Sequence, residues 1–167
     1  MKKIFILPCL LFFLFNFARA QSDWTNYKID SKLSVKVPAV PEKSDEYSVI
    51  TTGDDSLVYV ITKIDMKKIA GLDSAALAGI APTDAFVASI KTGMEAKMPG
   101  FILSDARTNK WNNYYCYYID GSNATTKLKA FTFLLIISDH LYSLSVVMPS
   151  NKDTKPKDYF FASLKLR

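Results

Sequence analysis

The stretch Phe131-Thr132-Phe133-Leu134-Leu135-Ile136-Ile137, followed after Ser138-Asp139 by His140-Leu141-Tyr142-Ser143-Leu144-Ser145-Val146-Val147-Met148-Pro149, decides the fold. Successive side chains of a strand point to opposite faces. A run that is apolar at nearly every position therefore needs cover on both sides. The short joint at Asp139-His140 forces the two segments to be antiparallel neighbours, because a parallel return needs a long crossover.

Working outward, a period of two holds from Phe101 to Pro149. It predicts strands over 101–109, 111–120, 125–138 and 140–149, joined by turns at Asn109-Lys110, Gly121 to Asn123, and Asp139-His140. Upstream, Leu33-Ser34-Val35-Lys36-Val37-Pro38 alternates like a half-buried strand, with Asp30-Ser31 as a tight turn before it. Residues 42–52 read as a weakly apolar strand. Residues 57–66 carry apolar side chains on both faces in their first half, which predicts a strand covered twice.

Between these halves the period changes. Asp73 can cap a short helix through Leu77. Thr83 or Asp84 can cap a longer one, in which Phe86, Ile90, Met94 and Met98 recur every fourth residue until Pro99-Gly100 stops it. Residues 155–164 form a last helix with Phe160, Phe161 and Leu164 on one side. The expected fold is α+β: an antiparallel sheet of about six to eight strands, with residues 84–98 covering one face and 155–164 the other.

Residues 1–20 stand apart. Lys2 and Lys3 precede an apolar run from Ile4 to Phe15, and Ala18-Arg19-Ala20 places small residues where a leader peptidase cuts, predicting cleavage before Gln21. Asn16 and Arg19 interrupt the run before it could span a bilayer. Cys9 lacks the small residues that precede a lipidated cysteine. The expectation is an exported chain, periplasmic or secreted, with residues 21–167 as a single globular domain and no transmembrane segment after leader removal.

The leader also carries part of the charge. The chain holds 21 Lys and Arg against 16 Asp and Glu, a net +5. Without Lys2, Lys3 and Arg19 the balance is 18 against 16, or +2, with the signs interspersed. That offers no electrostatic footprint for nucleic acid.

The composition, 49% hydrophobic and 22% charged, is that of a globular protein. One His and two Cys are too few for a zinc site of the usual kind, so no metal or cofactor is expected. There is no Gly-x-Ser-x-Gly elbow, no phosphate-cradling glycine loop and no calcium loop. The pairs Asp54-Asp55 and Asp45-Glu46 fall in turns or edges. Asn123-Ala124-Thr125 matches a glycosylation sequon by chance.

Cys116 has no partner after the leader and lies in Tyr114-Tyr115-Cys116-Tyr117-Tyr118. Alternation puts it on one face with Tyr114 and Tyr118, as a buried core thiol. His140 is expected to sit in a turn, open to solvent, with Asp139 pointing away from it. The aromatic run from Trp111 to Tyr118 is mostly core, and Trp111 and Tyr114, nearest a turn, are the expected exposed pair for binding a partner.

Three features together resemble the PsbP-like group, which includes the photosystem II extrinsic subunit, a Ran-binding import factor and exported bacterial proteins. They are the strand Leu33 to Val37 ending in Pro38, the mid-chain amphipathic helix between two antiparallel halves, and the terminal helix around Tyr159-Phe160-Phe161-Ala162-Ser163-Leu164-Lys165-Leu166. The resemblance implies an α/β/α sandwich and action by binding rather than chemistry; it transfers no site residue. The expected function is thus a non-enzymatic exported protein, a monomer, that binds a protein or another envelope component. The alternatives are a small hydrolase with a site assembled from distant residues, and a carrier of a small apolar ligand.

Overall fold

The computed structural model describes residues 24–167. The expected leader and Cys9 lie outside the described residues. The central sheet has eight strands, β3 Glu42–Lys43, β4 Ser48–Thr52, β5 Val58–Asp65, β6 Ile102–Leu103, β7 Arg107–Trp111, β8 Tyr114–Asn123, β9 Leu128–Ile137 and β10 His140–Pro149. Their order is β3-β4-β5-β10-β9-β8, with β6 and β7 both pairing with the far side of β8. Every pairing is antiparallel. As the sequence predicts, β9 and β10 are neighbours in the middle of the sheet, with Tyr142 opposite Leu135.

Alternation divides the buried side chains into two layers. Tyr59, Ile61, Cys116, Phe133, Leu135, Tyr142, Leu144 and Val146 point to one side; Tyr117, Ile119, Leu134 and Ile136 point to the other. Helices α1 Met66–Ala70, α2 Ser74–Ile80 and α3 Asp84–Lys97 lie over the second side, where Leu77 and Ala81 are fully buried and Phe86, Ile90 and Met94 pack beside them. Asp73 caps α2 by accepting the Ala76 N–H at 2.9 Å, and Thr83 Oγ1 caps α3 by accepting that of Phe86 at 3.3 Å. Helix α4, Lys155–Ala162, lies over the first side and buries Phe160 completely.

The first side has a second cover that the sequence did not reveal. Strands β1 Thr25–Lys28, β2 Leu33–Val37 and β11 Lys165–Leu166 form a separate three-stranded sheet with β2 in the middle. Leu33, Val35 and Val37 are fully buried beneath it with Phe160. Each such side chain contributes about 1.5–3 kcal/mol on leaving water.

Several boundaries depart from expectation for physical reasons. The turn expected at Asn109-Lys110 falls at Asn112-Asn113, whose φ values of 47° and 68° are left-handed, as a two-residue hairpin requires and as Asn tolerates. Gly121 to Asn123 is strand, because Gly121 lets β6 approach: a Cβ there would lie 2.5 Å from Leu103 Cδ2. The next joint carries Ser138 at φ 56°, so His140 begins β10 instead of forming the turn. Residues 42–52 break into β3 and β4, because Asp45 Oδ1 gathers the Tyr47 and Ser48 N–H groups into a turn.

The expectation that residues 57–66 are covered on both faces is corrected. The helices begin at Met66; α1 reaches only the far ends of β5 and β10, and the apolar layer beneath the helices is built from β6, β8 and β9. Val58, Val60, Ile50 and Val147 are left half-buried and outside either apolar layer. Hydroxyls occupy the rest of that area, with Ser48 Oγ 2.9 Å from Thr62 Oγ1 and Thr132 Oγ1 3.0 Å from Ser145 Oγ.

Candidate functional site

Two places gather polar or aromatic side chains. The first is where the β1–β2 turn meets β5 and β10. Asp30 Oδ1 accepts the N–H groups of Lys32 at 2.7 Å and Leu33 at 3.0 Å, shaping the turn. Its Oδ2 accepts the Tyr142 hydroxyl at 2.6 Å and lies 2.8 Å from Lys63 Nζ. Burial pushes the Asp30 carboxyl up, but Lys63, Tyr142 and the two N–H groups outweigh it and hold it well below the ordinary carboxylate range. Tyr142 is held protonated by its own burial and by the Asp30 carboxylate it serves.

His140 borders this cluster and corrects its expected solvation. Its ring stacks on Tyr142 at 6.0 Å and 25°, and its side chain is only 19% exposed. Asp139, expected to point away, meets it: Nδ1–H donates to Oδ1 at 2.6 Å, and this bond holds the Asp139 carboxyl below its usual range.

Cys116 stands apart from this pair. Cys116 aligns through Leu135 with Tyr142, two strands away, roughly 10 Å by sheet geometry. It is 1% exposed, and burial pushes its thiol up, as expected for a core residue. Among the described residues no buried side-chain polar atom lacks a partner. The Asp30 cluster joins the small sheet to the large one through Oδ2, while Oδ1 holds the turn.

The second place is the β7–β8 edge. Here β7 is the outermost strand, and four of its five residues are exposed. Register sets Arg107, Asn109 and Trp111 on one face, opposite Tyr118, Cys116 and Tyr114; Thr108 and Lys110 face the other way, opposite Tyr117 and Tyr115. Trp111 and Tyr114, expected to be exposed, are half-buried side by side against the apolar layer. Tyr118 continues their row, with its ring 4.9 Å from that of Phe133. Tyr117, on the reverse face, is core: its hydroxyl donates to Ala81 O at 2.7 Å, and burial pushes it up to about 12.

Cations line this edge. Arg107 pairs with Asp120 at 2.7 Å, Lys110 Nζ sits 5.0 Å over the Tyr115 ring, and Lys157 Nζ sits 4.5 Å over that of Phe131. The row ends in a shallow depression of about 300 Å³ among Ile102, Asp120, Ser122, Lys129 and Phe131, with Lys157 of α4 at its Phe131 side. Ile102 is 78% exposed there, although β6 is a sheet strand. This shelf escapes sequence reasoning, because Ile102, Asp120 and Phe131 meet only through strand register.

Among the described residues, no group of three or more His, Cys, Asp or Glu could hold a metal ion, and no helix is long and apolar enough to cross a membrane.

Comparison with known proteins bears on the fold. No family model matches the chain. The solution structure of cyanobacterial PsbP from Synechocystis superposes with a TM-score of 0.59 over 87% of this chain and 94% of that one, at 9% identity. A crystal structure from Bacteroides thetaiotaomicron superposes with a TM-score of 0.54 over 87% of this chain at 14% identity; the chain spans about half, 49%, of that protein. A trigger factor from Bifidobacterium adolescentis is 30% identical over 97 residues, which are 58% of this chain and 20% of that protein. At these identities the superpositions establish architecture, and the fold is PsbP-like.

Proposed function

We propose that this PsbP-like chain is an exported, non-enzymatic protein that binds a protein of the cell envelope through its β7–β8 edge. The observation that carries the proposal is the row Trp111, Tyr114, Tyr118 on one face of the outermost strands, running into the open shelf at Ile102 and Phe131. Half-buried aromatic side chains offer large apolar area at little further entropic cost, which is why they anchor protein contacts. The leader-like sequence of residues 1–20 supports export. The binding role also fits the polar cluster at Asp30, whose groups are spent on joining two sheets.

The test is recovery of partners from the native envelope by the tagged chain, alongside a Trp111→Ala/Tyr114→Ala variant checked for folding by circular dichroism. Proteins held by the parent and lost by the variant are expected, with the mature species beginning at Gln21. Equal recovery by both chains would overturn the assignment of the surface. A hydrolase activity abolished by His140→Ala would overturn the non-enzymatic role.

A further inference from the structure

We propose that β7 receives an extended, acidic segment of a partner protein as an added strand, with a carboxylate beside Lys110 and an apolar side chain beside Trp111. This rests on the β7–β8 edge being a protein-binding surface and specifies the chemistry of what it binds.

Alternate residues of an edge strand pair inward and the others turn N–H and C=O outward. Trp111 and Tyr114 flank the two-residue turn, which makes theirs a hydrogen-bonded pair; by alternation Asn109 with Cys116 and Arg107 with Tyr118 are hydrogen-bonded too, and Lys110 with Tyr115 and Thr108 with Tyr117 are the non-hydrogen-bonded pairs. That leaves Thr108 and Lys110 as the outward-facing residues. Lys110 N–H confirms the phase: it meets the side-chain Oδ1 of Asn109 at 2.7 Å, a local acceptor standing where a neighbouring strand would supply a carbonyl. An incoming strand can take that place, because Asn109 is exposed and free to swing away.

Charge selects the occupant. Strand β7 carries Arg107 and Lys110 and no acid. Among the described residues Lys110 and Lys129 have no carboxylate within ion-pair distance, while Asp120 is already held by Arg107. A second copy of the chain would bring like charges together at this edge. An acidic strand would place a carboxylate beside an unpaired ammonium, at a sheet margin where the pair is partly shielded from water. Alternation then fixes the pattern: acidic side chains on the Lys110 face and apolar ones on the Trp111 face, continuing the aromatic row.

The probe is a short peptide alternating glutamate with valine, with one central phenylalanine, compared with its lysine counterpart by titration calorimetry and amide hydrogen exchange. The glutamate peptide should bind, protect the Thr108 amide, and exceed the lysine peptide at least about tenfold. Thr108→Pro removes an outward N–H without touching a β7–β8 bond and should weaken binding about tenfold. Lys110→Glu, at an exposed position, should reverse the preference between the peptides and keeps the test standing should the proline disturb the strand. No binding, equal affinity for the two peptides, or indifference to both substitutions would overturn the proposal. Envelope partners that need Trp111 but tolerate Thr108→Pro and Lys110→Glu would sink strand addition and leave the binding surface intact.

Discussion

At the scale of single residues, Cys116 and Asp30 are opposite kinds of buried group. Cys116 behaves as a small hydrophobe between Tyr114 and Tyr118 on its face of β8. Cys116→Ser should destabilise the protein by about 1–3 kcal/mol, and Cys116→Ala by less, both read from denaturant unfolding. Its thiol should react only on the timescale of opening; rapid labelling of the folded protein would contradict its burial. Asp30 is a charge kept charged. Because its folded carboxyl lies below the unfolded value, its contribution is complete above about pH 5 and is lost as pH falls through about 4 towards the folded value. Asp30→Asn should cost roughly 2–3 kcal/mol at neutral pH, and the gap to the parent should narrow in unfolding curves taken down to about pH 2. The face chosen by Cys116 was legible because alternation is strict. The Asp30 and Tyr142 bond was not, since 112 residues separate them and nothing local in either segment signals the other. The turn before β10 falls one position earlier than expected because Ser138, an unremarkable residue for a left-handed turn, takes the positive φ.

Elements show where local chemistry speaks plainly and where it is overruled. Helices α2 and α3 begin at the caps that Asp73 and Thr83 announce, and α3 stops at Pro99-Gly100. The β7–β8 hairpin is the counter-case. Asn109-Lys110 and Asn112-Asn113 are both polar turn candidates, and pairing Trp111 with Tyr114 decides between them by aligning two aromatic side chains on one face. Asn113→Gly should leave the fold unchanged and raise stability by a few tenths to about 1 kcal/mol, because glycine accepts φ 68° without a Cβ penalty. A fall in melting temperature would show that the Asn113 side chain contributes more than its backbone. Gly121 is read correctly only with the partner strand in view. Alone it signals a turn; beside Leu103 it is a gap that lets β6 close on β8. Gly121→Val should push Leu103 outward, costing about 1–3 kcal/mol and exposing the amides of residues 102–104 to faster exchange.

For the whole molecule, two-sided apolar strands foretold the double cover, and α3 and α4 do lie on opposite faces. The small sheet stayed hidden because β11 is two residues long and pairs with a strand more than a hundred positions earlier. Phe160 shows what depends on that cover: its ring touches those of Tyr59 and Trp24, at 5.1 and 6.5 Å, beneath both α4 and the small sheet. Phe160→Ala should lose about 3–5 kcal/mol, and calorimetry should show the whole domain melting earlier as one unit. The pairing of Leu33 and Ser34 with residues 165–166 also orders events in time. A ribosome delivers β2 long before its second partner. Until residues 155–166 emerge, the face carrying Tyr59, Leu135 and Leu144 has only the β1–β2 hairpin for a roof, however well the hairpins behind it have already paired. Residues 155–166 therefore act as a clock: the nascent chain stays adhesive until they arrive to complete the cover.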